Sequence, residues 1–157
     1  MIKQISFKKV LLFLGILLPW FLGGLLFRYN PEFYESLNIP SFALPGSIIS
    51  IIWVVMYILI SISIYLTNKT ENVLQNKDYF YVLITNYLSN QFFPFMFFYL
   101  MSPFLGFVMT TIVFISSIFL FIETYKINKK GSYFLIPYII YNTYAFILSL
   151  TVYIMNF

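Results

Sequence analysis

The chain lacks two residue types that carry much of protein chemistry. Its 157 residues include no cysteine and no histidine. It can therefore form no disulfide, no thiol redox site and no histidine-ligated metal or haem site. Charged residues make up 9% of the chain, whereas hydrophobic residues make up 61% and aromatic residues 23%. A soluble protein cannot hide so much apolar surface, so we expect an integral membrane protein. We also expect it to have no cofactor.

Long uncharged stretches set the number of membrane crossings. Residues 79–122 contain no Asp, Glu, Lys or Arg. A helix rises about 1.5 Å per residue and the hydrocarbon core is about 30 Å thick, so this stretch predicts two crossings. Ser102 and Pro103 mark the boundary between them, since serine caps helices and proline fits their first position. We predict an all-α fold, a single domain over residues 1–157 that forms a bundle of five transmembrane helices, at about 8–27, 46–67, 79–98, 103–125 and 132–155.

Local signals refine the ends of these helices. Asp78 and Ser132 carry side-chain oxygens that accept hydrogen bonds from free N–H groups, so each is predicted to cap the helix that follows it. The step from Lys130 to Gly131 is predicted to be a turn. On helix one, the pair Gly23-Gly24 predicts either a close approach to a neighbouring helix or a simple kink.

The charges predict the orientation of the bundle. The loop after helix one carries Arg28 with Glu32 and Glu35, whereas every lysine falls on the opposite side. By the positive-inside rule the N-terminus is cytoplasmic and the C-terminus external in the cell membrane. Topology thus accounts for the formal charge of +4, and we predict no nucleic-acid partner. The lysines are Lys3, Lys8, Lys9, Lys69, Lys77, Lys126, Lys129 and Lys130.

The first external loop, at about residues 28–45, differs from the short connections elsewhere. It contains Pro31, Pro40 and Pro45 together with four aromatic residues. Proline restricts the backbone and lowers the entropy lost when a segment settles into one shape. The loop is therefore either a lid over the bundle or an aromatic belt at headgroup depth.

Four segments, taken in chain order, resemble the patterns of one membrane protein family. Residues 33–42, FYESLNIPSF, resemble WYxSLxxPSW, and residues 53–57, WVVMY, resemble WxxLY. Residues 90–98, NQFFPFMFF, are similar to NxxWxPxFF, and residues 137–141, PYIIY, are similar to PYxxW. These patterns are those of the TspO/MBR family, the tryptophan-rich sensory proteins related to the mitochondrial translocator protein. The resemblance covers nearly the whole chain and implies a five-helix membrane bundle.

The chain departs from the family pattern by its loss of tryptophan. Phe33, Phe42, Phe93 and Tyr141 stand where the patterns have tryptophan. These replacements keep aromatic area but remove indole N–H donors. The chain therefore resembles a divergent, tryptophan-poor member.

The resemblance implies a pocket within the helices, closed by the first external loop. The ligand it implies is protoporphyrin IX or a related tetrapyrrole, with sterol-like and isoquinoline-type ligands bound by relatives, and the assembly is a homodimer. Arg28, the external cation, is expected to pair with porphyrin propionates. The ligand-binding residues that the resemblance implies are Tyr34, Trp53, Asn90, Phe93, Tyr141, Ala145 and Leu148.

The residues themselves leave alternatives open at several of these positions. A tryptophan near a helix start, such as Trp53, is also typical of an interfacial anchor. An unpartnered amide is costly in hydrocarbon, so Asn86, Asn90 and Asn142 should face the bundle interior or a hydrated cavity. For Asn86 and Asn142 we expect hydrogen bonds between helices, whereas for Asn90 the resemblance favours the pocket.

Three classes of function remain. The first is a receptor or carrier that binds tetrapyrroles and serves a sensory, regulatory or translocation role. The second is the light- and oxygen-dependent degradation of protoporphyrin IX implied by the family, with Trp53 and Tyr141 as the candidate catalytic pair. The pocket offers no acid, base or nucleophile, so this activity ranks second and the protein is expected not to be an enzyme in the ordinary sense. The third is a small transporter of porphyrins or sterols, which ranks last because no inverted repeat is visible.

Overall fold

The computed structural model describes residues 7–157, and all regular structure within that range is helical. Lys3 lies outside the described residues. Four segments are long and apolar enough to span a membrane: Phe7–Leu26, Gly46–Thr70, Pro103–Ile127 and Lys129–Met155. The α-helices are α1 (Phe7–Leu17), α2 (Leu22–Leu26), α3 (Pro31–Ser36), α4 (Gly46–Thr70), α5 (Lys77–Pro94), α6 (Pro103–Ile127), α7 (Lys129–Tyr133) and α8 (Ile136–Met155).

The all-helical membrane bundle agrees with the sequence prediction, but the number of apolar spans differs. Five were predicted, and α5 is not apolar enough to count as the fifth. It carries Asn86, Ser89 and Asn90, which are all buried. Because α5 packs against α6, these groups face protein rather than lipid, so the helix does not need a fully apolar sequence. A π-helical segment, Phe95–Tyr99, continues it after Pro94.

The predicted single helix one is broken in the structure. A 3-10 turn at Leu18–Phe21 separates α1 from α2 and contains Pro19, whose missing N–H interrupts the hydrogen-bond ladder. The two halves then pack against different partners, α1 against α4 and α2 against α5. A Cβ atom at Gly23 would lie 2.6 Å from the Gln91 carbonyl oxygen, whereas one at Gly24 would meet open space. The pair therefore serves a close approach at Gly23.

Asparagine side chains begin several helices where other residues were predicted. Ser102 caps α6 as expected, accepting a hydrogen bond from Leu105 N. The Asp78 and Ser132 predictions are wrong, because Asn76 caps α5 and Asn128 caps α7. The predicted turn at Lys130 and Gly131 is also wrong, since both residues lie in α7. Asp78 instead occupies the first turn of α5, where a negative charge favours the helix dipole.

Candidate ligand-binding site

The segment between α2 and α4 folds over one end of the bundle. It contains the short helix α3, whose first turn is capped by Asn30 through a hydrogen bond from Phe33 N. Asn38 N donates to Asn156 Oδ1 at 2.8 Å, and Asn156 Nδ2 donates back to the Asn38 carbonyl at 2.9 Å. Leu44 N donates to the Tyr144 hydroxyl at 2.9 Å. Both anchors lie at the end of α8 or on it, so the segment is tied to the last helix.

Aromatic rings tie the same segment to the π-helical end of α5. Tyr29 lies 5.2 Å from Phe98, and Phe33 lies 5.4 Å from Phe97, measured between ring centroids. Such edge-to-face pairs contribute about 0.5–1.5 kcal/mol each beyond their buried area. Because the loop contacts both α5 and α8, the geometry favours a lid over an interfacial belt.

Tyr34 belongs to this lid and is half-buried there. Burial raises the pKa of its phenol above the usual range, and the nearby phenols of Tyr29 and Tyr144 raise it further. A tyrosine phenol is protonated at neutral pH even at its ordinary pKa of about 10, and the raised pKa keeps Tyr34 protonated to still higher pH. Its hydroxyl is available as a neutral hydrogen-bond donor at the lid.

Trp53 lies among aromatic rings from its own helix, α4, and from α8. Its centroid is 5.5 Å from Tyr141 and 6.4 Å from Tyr138, both on α8 and both edge-to-face. On its own helix it is 5.6 Å from Tyr57, which in turn stacks on Trp20. The contacts with α8 place Trp53 against the bundle interior.

A buried polar network lies beside these rings. Asn90 Nδ2 donates to the Tyr138 hydroxyl at 2.9 Å, and that hydroxyl donates to Asn86 Oδ1 at 3.0 Å. Asn86 Nδ2 donates onward to Ser116 Oγ at 2.9 Å. The network therefore joins α5, α6 and α8, and it links Asn90 to Trp53 through Tyr138. The predicted role of Asn86 between helices is confirmed by these bonds.

Asn142 does not form the interhelical hydrogen bond predicted for it. Its side chain is 1% exposed, yet neither its amide nitrogen nor its oxygen has a hydrogen-bond partner among residues 7–157. It follows Tyr138 by one turn of α8, so it lies close to the network without joining it. A buried, unpaired amide is costly, and this one marks the least satisfied point of the candidate site.

The remaining candidates fall outside the group around Trp53. Phe93 stacks on Phe97 at 5.5 Å and thereby joins the lid's aromatic residues. Within the described part of the chain, no ring pair connects the Phe93 cluster to the Trp53 cluster. Ala145 and Leu148 are half-buried one and two turns along α8 from Tyr141. The structure thus unites Trp53, Asn90 and Tyr141, and it places Tyr34 and Phe93 in a second cluster under the lid.

Two cavities stand out, and neither is lined by any of the seven predicted ligand-binding residues. One lies at the lid end, between the start of α6 and Tyr153, and the other lies between α1, α4 and α5. The ring of Trp53 is in contact with those of Tyr138 and Tyr141.

Two contributors were missed by sequence reasoning. Tyr138 joins the rings to the amides, and it stood within the quoted motif PYIIY. Tyr144 contacts Tyr141 at 5.8 Å and also receives the lid's hydrogen bond from Leu44. Its spacing of three residues from Tyr141, on one face of a helix, was the signal that could have found it.

The site offers recognition groups but few groups for acid or base chemistry. No cluster of three Asp or Glu side chains that could hold a metal ion occurs within residues 7–157. Glu123 is paired with Lys126 at 2.7 Å, at the end of α6 remote from the lid. The arrangement suits binding of an apolar ring system by stacking, with amide and phenol groups to orient it.

Comparison with known proteins agrees with this arrangement. The chain is 32% identical over 134 residues to the uncharacterized membrane protein YtaB of Bacillus subtilis strain 168, covering 85% of this chain and 86% of that protein. It is 28% identical over 137 residues to the tryptophan-rich protein TspO of Bacillus cereus, covering 87% and 89%. Residues 10–155 match the model of the TspO/MBR family. The chain is a membrane protein that belongs to the TspO/MBR family.

Proposed function

We propose that the protein is a membrane receptor or carrier that binds a tetrapyrrole such as protoporphyrin IX beneath its lid. Sterol-like or isoquinoline-type ligands would use the same aromatic surface. Entry of a flat ligand requires the lid to lift and the rings around Trp53 to separate.

One observation carries this proposal: a continuous contact path from the lid to Trp53. Leu44 of the lid hydrogen-bonds Tyr144, Tyr144 packs on Tyr141, and Tyr141 packs on Trp53. Lifting the lid frees Tyr144 first and then exposes the faces of Tyr141 and Trp53. A flat macrocycle inserted there replaces ring–ring contacts with ring–ligand contacts, which keeps the cost of opening low.

The polar groups at the lid suit the propionates of a porphyrin. Arg28 is exposed at the start of the lid segment, and Tyr34 retains its phenol proton at neutral pH. A cation and a neutral donor at the rim, above an apolar interior, match a ligand with a flat apolar body and an anionic edge. Asn90 would supply an orienting amide deeper in the site.

Orientation and assembly belong to the same proposal. The lysines at the end opposite the lid favour a cytoplasmic position for that end and an external position for the lid. The N-terminus would then be cytoplasmic and the C-terminus external. A homodimer is the assembly that the family resemblance implies.

Protoporphyrin IX titration of the detergent-solubilised protein, followed by fluorescence quenching, tests the site. The two tryptophans provide matched variants. Trp53→Phe removes the ring that contacts α8, and we expect porphyrin affinity to fall about tenfold, the equivalent of one lost aromatic contact of about 1.4 kcal/mol. Trp20→Phe, which alters a ring stacked on Tyr57 instead, should leave affinity close to that of the wild type.

The titration is then repeated under illumination. Unchanged porphyrin spectra support a receptor or carrier, whereas light- and oxygen-dependent loss of the porphyrin would favour degradation through the Trp53–Tyr141 contact. Absence of saturable binding in the wild type, or equal binding by Trp53→Phe, contradicts the proposed site.

A disulfide across the lid anchor tests the need for lid opening. Asn38 and Asn156 exchange hydrogen bonds, and the chain has no other cysteine to interfere with Asn38→Cys/Asn156→Cys. We expect the oxidised variant to bind porphyrin much more slowly than its own reduced form. The double serine variant controls for loss of the hydrogen bonds. Equal binding rates in the oxidised and reduced forms would mean that the ligand enters by another route.

A further inference from the structure

A second cavity lies at the other end of the bundle from the lid. Its volume is about 290 Å³, and it is bounded by α1, the 3-10 turn after α1, α4, α5 and the connection between α4 and α5. On α5 its lining extends from Phe80 to Tyr87, which corresponds to about 10 Å along the helix axis. The lining is mainly aliphatic and aromatic, with Asn68 at the end where α4 finishes. We call this feature the α1–α5 groove.

The break at Pro19 creates this groove. Beyond the break α2 packs on α5, whereas α1 packs on α4, so α1 and α5 diverge towards the lysine-bearing end. The inner end is closed by Trp20, and the Tyr87 hydroxyl donates to the Pro19 carbonyl at 3.1 Å. The groove is therefore closed near the middle of the bundle, and its other end, which we call the mouth, is lined by Asn68, Val73 and Leu74 on the side that carries the lysines.

Lysines are placed on the helix faces that line the groove. Lys9 lies three and seven residues before Leu12 and Ile16, so it shares their face of α1. Lys77 has the same spacing to Phe80 and Ile84 on α5. Lys8, four residues before Leu12, adds a third charge, and all three lysines are exposed.

The acidic residues nearby do not cancel these charges within the groove. Glu71, in the connection from α4 to α5, accepts a hydrogen bond from the Asn76 side chain. Asp78 lies one position past Lys77, which turns it about 100° away around α5. Lys69, at the end of α4, extends over the ring of Tyr65. The mouth of the groove thus presents a net positive charge above an apolar slot.

We propose that the α1–α5 groove binds an acyl chain of an anionic phospholipid, with Lys8, Lys9 and Lys77 holding its phosphate. An acyl chain fits an elongated apolar slot that closes near the middle of the bundle. Lysines at the mouth attract anionic headgroups over zwitterionic ones. The site is separate from the residues under the lid, so this proposal does not depend on porphyrin binding.

Trp20 provides a direct probe of the occupant. It is 3% exposed and lines the closed end of the groove, so a lipid chain that fills the groove lies against its ring. In the Trp53→Phe background, Trp20 is the remaining tryptophan. The protein is reconstituted in phosphatidylcholine vesicles containing a small fraction of phosphatidylglycerol with brominated chains, which quench tryptophan on contact. A parallel sample carries the same fraction of brominated phosphatidylcholine.

The proposal predicts stronger quenching of Trp20 by brominated phosphatidylglycerol than by brominated phosphatidylcholine. Changing Lys8, Lys9 and Lys77 to glutamine should weaken the preference by about fivefold for each lysine. The matched control changes Lys126, Lys129 and Lys130 to glutamine, which removes equal charge from the loop after α6, and it should keep the preference. Ile84→Phe, which fills the groove, should abolish quenching by both lipids.

Three quenching results would each overturn the proposal. They are equal quenching by the two brominated lipids in the starting protein, an equal loss of preference in the control variant, and undiminished quenching in Ile84→Phe. Circular dichroism and thermal unfolding identify any variant that fails to fold. If Ile84→Phe fails to fold, Ile84→Ala replaces it; this change enlarges the groove, so quenching of Trp20 should increase. Crosslinking at equal protein density in the vesicles tests whether a second copy of the chain occupies the groove instead. A change in the dimer fraction of Ile84→Phe would indicate such a copy and would also contradict a lipid occupant.

Discussion

Helix α5 contacts two sets of neighbours, and the two contacts are built differently. Towards α6 and α8 it uses buried amides and hydroxyls, as in the bonds from Asn86 to Ser116 and from Asn90 to Tyr138. Towards the 3-10 turn and α2 it uses the ring of Tyr87 against Trp20 and the side chain of Gln91. No residue of α1 is buried, whereas seven residues of α6 are. Hydrogen bonds between helices hold a helix against its protein neighbours, where lipid would otherwise compete for the same surface.

The break in the first membrane segment explains why Gln91 matters on the weaker side. The 3-10 turn leaves backbone groups without partners in their own helix, which is costly in a membrane. Gln91 satisfies two of them, accepting from Gly23 N at 2.6 Å and donating to the Trp20 carbonyl at 3.2 Å. The single side chain of Gln91 thus holds α2 against α5, whereas a network of several side chains holds α6 and α8 against α5.

Blocking the close approach of α2 to α5 should have the largest effect. Gly23→Leu forces side-chain atoms against the backbone of Gln91, so we expect a loss of about 3 kcal/mol in the free energy of unfolding. Gly24→Leu, where a Cβ meets open space, should be close to neutral. Thermal unfolding in detergent micelles measures both. Equal stability of the two variants would show that α2 does not pack on α5 as described.

The buried amides should respond in opposite directions. Asn86→Leu removes the bonds to Ser116 and Tyr138, so we expect a loss of about 2 kcal/mol. Asn142→Leu replaces an amide without partners, so it should be neutral or stabilising by about 1 kcal/mol. Unfolding in mixed micelles with increasing dodecyl sulfate compares the two. A destabilised Asn142→Leu would mean that this amide is paired in the membrane.

The smallest expected effect is at the closed end of the α1–α5 groove. Tyr87→Phe removes one hydrogen bond, from the tyrosine hydroxyl to the Pro19 carbonyl, and keeps the ring against Trp20. We expect a loss of about 0.6 kcal/mol, the typical value for one hydrogen bond between membrane helices. The same unfolding assay detects it. A loss as large as that of Asn86→Leu would mean that the two sides of α5 are equally dependent on hydrogen bonds.

Much of the fold followed from the sequence because apolar length is a strong signal. The cap at Ser102 was also predictable, since proline at the next position leaves few alternatives. The caps at Asn76 and Asn128 were not, because several polar residues precede each helix and the choice depends on tertiary contacts. The polar sequence of α5 also depends on tertiary contacts, because burial against α6 allows polar residues in the middle of a membrane bundle.

The candidate site was less predictable than the fold. Family resemblance brought forward Trp53, Asn90 and Tyr141, and the structure places them in one connected group. Neither composition nor spacing could indicate that large rings fill the space between them, because packing depends on side-chain rotamers. The link through Tyr138 was missed for a similar reason: a tyrosine in an apolar helix gives no sign of whether its hydroxyl meets an amide or the membrane interface.

The anchoring of the lid has a consequence for how the protein assembles. The lid follows the first membrane segment, yet its partners Met155 and Asn156 lie 117 and 118 residues further along. During synthesis the lid therefore emerges long before the helix that holds it. It must wait in an unpaired form until α8 has been inserted, and contacts of such long sequence separation form late. The lid can therefore close only after the last helix of the bundle has been inserted.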